Sequence, residues 1–134
     1  MRHLLATGLC LASLNGPAAA GDVLGQYERL ARQENPAFER FSAARGKRFY
    51  EQRRTDSEGR PSGCFSCHTP DPGKPGKTRA NKVIGPMAVG ANPQRFTDPR
   101  KTEKWFRRNC ADLLGRACTA QEKGDFIEFL AQFK

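Results

Sequence analysis

The sequence predicts an all-α fold, and three observations carry that reading. Apolar residues recur at helical spacing in several separate segments. Two of those segments open with residues that start helices, Asp98-Pro99 and Thr119. No stretch alternates apolar and polar residues as a strand would, and no internal repeat is visible. The chain has 134 residues, one domain's worth at the usual size of about 100–200 residues. With 28% charged residues and a mean hydropathy of −0.71, a polytopic membrane protein is excluded. Hydrophobic residues make up 37% and phenylalanine occurs nine times, enough for a small core and against wholesale disorder. Chains this small bury little surface, so a cofactor or crosslink usually helps. Five cysteines point the same way.

Residues 1–20 read as a secretory leader. Arg2 supplies a positive start, Leu4 to Leu14 form a short apolar stretch, and Asn15-Gly16-Pro17 breaks it before the small residues Ala18-Ala19-Ala20. The apolar stretch is too short to span a bilayer. Cleavage after Ala20 leaves a functional domain over residues 21–134 and places it in the periplasm. Cys10 and His3 leave with the leader. Cys64, Cys67, Cys110, Cys118 and a single histidine, His68, stay.

In the remaining chain Val23, Leu24, Tyr27, Leu30 and Ala31 repeat at helical spacing, and Asn35-Pro36 ends that helix. A second helix is expected from about Pro36 to Arg53, with Gly46, Phe49 and Tyr50 on one face. A polar stretch, Thr55 to Gly63, leads to a cysteine-rich turn. Residues Thr69 to Thr97 carry five prolines and four glycines, which predicts an irregular loop throughout. Asp98 then caps a helix with Pro99 at its first position. The last helix opens on Thr119-Ala120-Gln121-Glu122, a capping box, and its stripe is Phe126, Phe129, Leu130 and Phe133.

Chemistry concentrates in one pentapeptide, Cys64-Phe65-Ser66-Cys67-His68. Composition alone yields a C-x-x-C-H anywhere in this chain with a chance of about 0.003, and the pattern is the attachment signature of a c-type haem. Two thiols add across the two vinyl groups of one porphyrin edge, and one helical turn spaces them for it. The next residue, His68, then presents its imidazole to the iron. The competing reading is a structural zinc site built from Cys64, Cys67, Cys110 and Cys118. Zinc knuckles favour shorter spacing than the seven residues between Cys110 and Cys118. An exported chain tends to oxidise such a pair to a disulfide.

The other face of the iron decides function. No second histidine remains after the leader, and Met87 is the one remaining methionine. A methionine ligand would make an ordinary electron carrier. Met87 directly follows Pro86, though, on the loop that leaves His68, and reads as packing against the haem. Asn109 is the other candidate. Thr102, Trp105, Phe106 and Asn109 fall at i, i+3, i+4 and i+7, placing an amide on an inward stripe with two aromatics of a haem pocket. Asparagine also suits a helix C-terminus in the left-handed conformation. Both readings stand on residue pattern, and a Cys110–Cys118 bridge would pin Asn109 in place.

The order of elements resembles the class I cytochrome c fold, in which the terminal helices cross closely. That resemblance makes Gly46 the small residue facing Phe126 or Phe129. It also implies that the carbonyl of Pro86, in Gly85-Pro86, accepts the Nδ1–H of His68 and orients it. A closer likeness comes from Arg95-Phe96-Thr97-Asp98, Lys104-Trp105-Phe106-Arg107-Arg108-Asn109-Cys110, Leu114-Gly115-Arg116-Ala117-Cys118-Thr119 and Glu122-Lys123. These segments resemble the sphaeroides haem protein family, high-spin class I cytochromes c with asparagine as sixth ligand. The resemblance implies one covalent haem c, with Cys64 and Cys67 as tethers, His68 proximal, Asn109 distal and Cys110–Cys118 bonded. It further implies that Asn109 leaves on reduction, opening a site for oxygen, nitric oxide or carbon monoxide. Partners implied are a dihaem cytochrome c and a membrane cytochrome b. Met87 departs from the aliphatic residue expected there.

The function expected is therefore a monomeric, exported monohaem cytochrome that binds a diatomic ligand and exchanges electrons. The alternative is a plain electron carrier with Met87 as sixth ligand, and turnover of oxygen or nitric oxide stays open. Lys101, Lys104, Arg107, Arg108 and Arg116 form either a solvated basic face or a dock for an acidic redox partner. Nucleic acid is not expected as a partner of an exported haem protein.

Overall fold

The computed structural model describes residues 20–56 and 58–133. The expected leader, up to its last residue, lies outside the described residues. Five helices and two small hairpins follow in order: α1 (Ala20–Glu34), α2 (Ala43–Glu51), β1 (Arg54–Thr55), β2 (Pro61–Ser62), α3 (Cys64–His68), β3 (Gly76–Lys77), β4 (Val83–Ile84), α4 (Pro99–Leu114) and α5 (Ala120–Ala131). No helix among the described residues is long and apolar enough to cross a membrane.

Helix α5 is the centre of the molecule. Gly124, Asp125, Phe126, Ile127, Phe129 and Leu130 are all buried, so the helix is covered on nearly every side. Its start is fixed by the capping box: Thr119 accepts from the Glu122 amide, and Glu122 accepts from the Thr119 amide. Helix α1 lays Val23, Tyr27 and Ala31 against the core at four-residue intervals. Leu30, read as part of that stripe, is exposed.

Helix α2 crosses α5 at Gly46, where a Cβ would overlap the backbone carbonyl of Asp125 and lie 2.8 Å from Phe129 Cβ. The expected close crossing is therefore present, and it requires glycine for space. Asp125 reinforces it. Its buried carboxylate accepts from the Ser42 amide (2.6 Å), from Arg45 Nε (2.7 Å) and from Arg45 Nη2 (2.9 Å).

Two expectations about this half of the chain need correction. Helix α2 starts at Ala43, not near Pro36, because Ser42 caps it by accepting from the Arg45 amide. Residues 36–41 are irregular and tuck Phe38 and Phe41 together, edge on, at 5.1 Å. The second is one of detail within a fold that is helical as expected: two minimal hairpins interrupt stretches read as free of strand, with β1 antiparallel to β2 and β3 to β4. Each strand has two residues, too few to show a period of two in the sequence. The first hairpin is closed by the Asp56 carboxylate, which accepts from the Glu58 and Arg60 amides and from Arg79. The second interrupts the long loop that composition made irregular throughout.

Helix α4 begins as expected, with Asp98 accepting from the Lys101 amide and Pro99 in the first turn. It ends at Gly115, left-handed at φ 66°, as helix ends favour. Asn109 therefore lies inside the helix, and the capping role considered for it belongs to Gly115.

Candidate haem-binding site

Helix α3 is a single turn that carries Cys64, Cys67 and His68. Neither cysteine is in a disulfide, and both are partly buried. Burial pushes the Cys64 thiol up to about 11 before any cofactor is attached. Burial, and after it the Arg95 charge, pushes His68 down to about 4. The imidazole is thus neutral near pH 7, the form that ligates metal.

The turn is held from two sides. Tyr50, fully buried on α2, donates its hydroxyl to the carbonyls of Thr69 (2.7 Å) and His68 (3.2 Å). Gly76 on β3 presses so close that a Cβ would overlap the Cys67 carbonyl. Thr69, next after His68, sits at φ 65°, a strained left-handed conformation for a branched residue.

The expected hydrogen bond from His68 to the Pro86 carbonyl is not formed in the structure. That carbonyl accepts from Arg95 Nε (2.8 Å) and, at longer range, from Asn92 Nδ2 (3.4 Å). His68 Nδ1 is buried and has no hydrogen-bond partner. A guanidinium gives a stronger, charge-assisted bond than a neutral imidazole N–H, and here it holds the acceptor. Met87 is buried in the core, and its amide donates to the Pro72 carbonyl at 2.9 Å. That bond ties Met87 to the segment leaving His68.

Helix α4 buries Thr102, Phe106 and Cys110, a narrower stripe than expected. Phe106 packs edge on against Tyr27 (5.9 Å) and Phe126 (5.6 Å), so it belongs to the helical core. Trp105 is 44% exposed and Asn109 is exposed as well. These two share a face one turn apart, beside the buried stripe and outside the core where they were expected. Cys110, adjacent to Asn109, is bonded to Cys118, with Cα atoms 5.6 Å apart. The bond removes both sulfurs from the zinc site considered above. Among the described residues no group of three or more His, Cys, Asp or Glu could hold a metal ion.

Sequence reading missed three supports of the site. Tyr50 was placed on the inward face, and a buried phenol needs a polar partner, which was the available signal. The link from Tyr27 to Glu103 (2.8 Å), with Lys123 bonded to both oxygens of Glu103 at 2.9 Å, joins α1, α4 and α5 and left no local pattern. Arg95 reaches back ten residues to Gly85 and nine to Pro86, again without a signature.

Two thiols and a neutral imidazole on one turn, the imidazole bearing a buried nitrogen without a partner, fit haem c and its thioether attachment. Fold and site together define a small helical c-type cytochrome with one haem. Comparison with known proteins agrees. Residues 36–130 match the family described as "Domain of unknown function (DUF1924)". The chain is 39% identical over 120 residues to cytochrome c-type protein SHP of Cereibacter sphaeroides, covering 90% of this chain and 92% of that protein. It is 38% identical over 106 residues to cytochrome c'' of Methylophilus methylotrophus, covering 78% and 74%.

Solved structures give the same picture. Oxidised cytochrome c'' superposes with a TM-score of 0.77 at 36% identity, over 84% of this chain and 93% of that one. Oxidised SHP, described as an oxygen-binding cytochrome c, superposes with a TM-score of 0.75 at 35% identity, over 87% and 98%. The chain belongs to the family of the sphaeroides haem protein SHP and cytochrome c'', and its cofactor is haem c.

Proposed function

We propose that the protein is an exported, periplasmic monohaem cytochrome over residues 21–134. In this reading it is ligated by His68 and Asn109 when ferric, and it binds oxygen or nitric oxide when ferrous. The observation that carries this reading is the placement of Asn109. Its amide lies on an exposed face of α4 beside Trp105, and the Cys110–Cys118 bond anchors the next residue. Haem c, when bound, supplies an iron that changes oxidation state and takes a sixth ligand.

The chain's residues divide the work around it. Cys64 and Cys67 would tether the cofactor, and His68 would ligate its iron. Asn109 offers a neutral amide oxygen, a hard and weak donor better matched to ferric than to ferrous iron. Asn109 would therefore be the donor more readily given up by reduced iron, freeing a place for a diatomic molecule. SHP is an oxygen-binding cytochrome c, and the solution structure of cytochrome c'' bears on the basis of haem-ligand detachment. Both support a ligand that comes off. Met87 as sixth ligand is disfavoured by its burial and by its bond to Pro72.

The redox partner in this reading is a dihaem cytochrome c, alongside a membrane cytochrome b, and the protein works as a monomer. Ferric and dithionite-reduced absorption spectra of the holoprotein test the proposal. A high-spin ferrous spectrum that shifts with carbon monoxide supports it. A methionine–iron charge-transfer band, with a low-spin ferrous spectrum indifferent to carbon monoxide, overturns it.

A further inference from the structure

Arg95 stands in an unusual position for a cation. Its guanidinium is partly buried and makes two short bonds, Nε to the Pro86 carbonyl at 2.8 Å and Nη2 to the Gly85 carbonyl at 2.7 Å. No carboxylate pairs with it in these contacts, so two backbone carbonyls carry its solvation. The following residue, Phe96, is held at φ 58°, and its ring meets Phe126 of α5 edge on at 6.4 Å. A strained backbone locked onto the central helix fixes the direction in which Arg95 leaves the chain. His68 Nδ1 is buried without a partner, and burial and, after it, the Arg95 charge lower the pKa of that imidazole.

We propose that Arg95 is a positioning residue for the proximal ligand. It claims the Pro86 carbonyl and sets its charge near the imidazole, so that His68 is a weakly donating histidine. An imidazole that gives its Nδ1–H to an acceptor gains basicity and pushes electron density onto the iron. His68 has no such acceptor, and the Arg95 charge opposes any build-up of negative character on the ring. Weak donation would favour the ferrous state of a bound haem iron. Axial-ligand strength is one of the protein's main controls over a haem. The inference rests on His68 as proximal ligand, and its vibrational readout on the proposed ferrous haem without a sixth ligand.

The test uses the ferrous holoprotein with Arg95→Leu and Arg95→Lys, read by the iron–histidine stretching band and by the midpoint potential. Arg95→Leu should raise the stretching frequency and lower the potential, because Pro86 is freed and the charge is gone. Arg95→Lys keeps a charge but loses the fork that spans both carbonyls, and should raise the frequency by a smaller step. A change in thermal stability or potential with the iron–histidine frequency unmoved overturns the inference, since a structural or simple charge role does only that. If the unmodified ferrous protein shows no iron–histidine band, a retained sixth ligand overturns the proposed function, and the potential then decides this inference: Arg95→Lys, which keeps the charge, must still lower it, and an unchanged potential overturns the inference. If Arg95→Leu does not fold, the Arg95→Lys frequency alone decides.

Discussion

Tyr50 shows how one side chain can serve packing and site together. It is fully buried between α2 and α5, with its ring 6.0 Å from Phe126 and 5.7 Å from Phe129. Its hydroxyl meanwhile holds the carbonyls of His68 and Thr69. Replacing it with phenylalanine keeps the ring and leaves those carbonyls short of a donor. The expected cost is about 1–3 kcal/mol, the range for a buried polar group that loses its partner. Denaturant unfolding of the holoprotein checks it, and covalent haem should be retained because Cys64 and Cys67 are untouched. At this scale the sequence was informative wherever local chemistry dictates spacing. Cys64, Cys67 and His68 must share one turn, so they are adjacent in the chain. Arg95 and Glu103 act across long separations, and nothing near them in sequence announces their partners.

Among the elements, the crossing of α2 and α5 is the tightest contact and the most sensitive. Gly46→Ala would drive a methyl into the Asp125 carbonyl, and overpacking of this kind typically costs about 1–3 kcal/mol. Backbone on both sides leaves little room to yield, so the upper end is expected, visible as a lowered Tm. The Cys110–Cys118 bond closes a short loop between α4 and α5, and bridges of this kind contribute roughly 2–4 kcal/mol. Thiol titration of denatured, unreduced holoprotein should find no free cysteine downstream of the leader, since the haem takes Cys64 and Cys67. Two free thiols per chain would contradict the bridge.

Element ends were legible where caps are encoded, at Asp98-Pro99 and Thr119-Glu122. The start of α2 was not, because Ser42 competes as a cap with the earlier Asn35-Pro36 signal and wins only through Asp125 of α5. The short hairpins escaped for a different reason. Two-residue strands have no periodicity, and Asp56, Arg60 and Arg79 make the first one through polar contacts.

For the molecule as a whole, charge is the outstanding property: a formal net of +9. On α4, Lys101, Lys104, Arg107 and Arg108 are all exposed, close to the face that carries Trp105 and Asn109. Arg116, by contrast, is engaged with Glu122 at 2.7 Å and contributes less to any docking. Electrostatic steering should make electron exchange with an acidic partner slow as salt rises, chiefly through the association rate. Stopped-flow reduction at increasing ionic strength measures this, and Lys104→Glu with Arg107→Glu should flatten the dependence. A rate independent of salt would make this face merely solvated.

The central claim is that Asn109, not Met87, is the ligand that yields to a gas. Its most direct test is a pair of holoprotein variants, Asn109→Ala and Met87→Leu, examined by ferric absorption spectrum and by carbon monoxide binding after reduction. Asn109→Ala should change the ferric spectrum while carbon monoxide still binds the ferrous form. Met87→Leu should change neither, with a packing cost under about 1.5 kcal/mol for a volume-conserving swap. A silent Asn109→Ala, with Met87→Leu altering ferric ligation, would contradict the account and return the protein to the ordinary electron carriers.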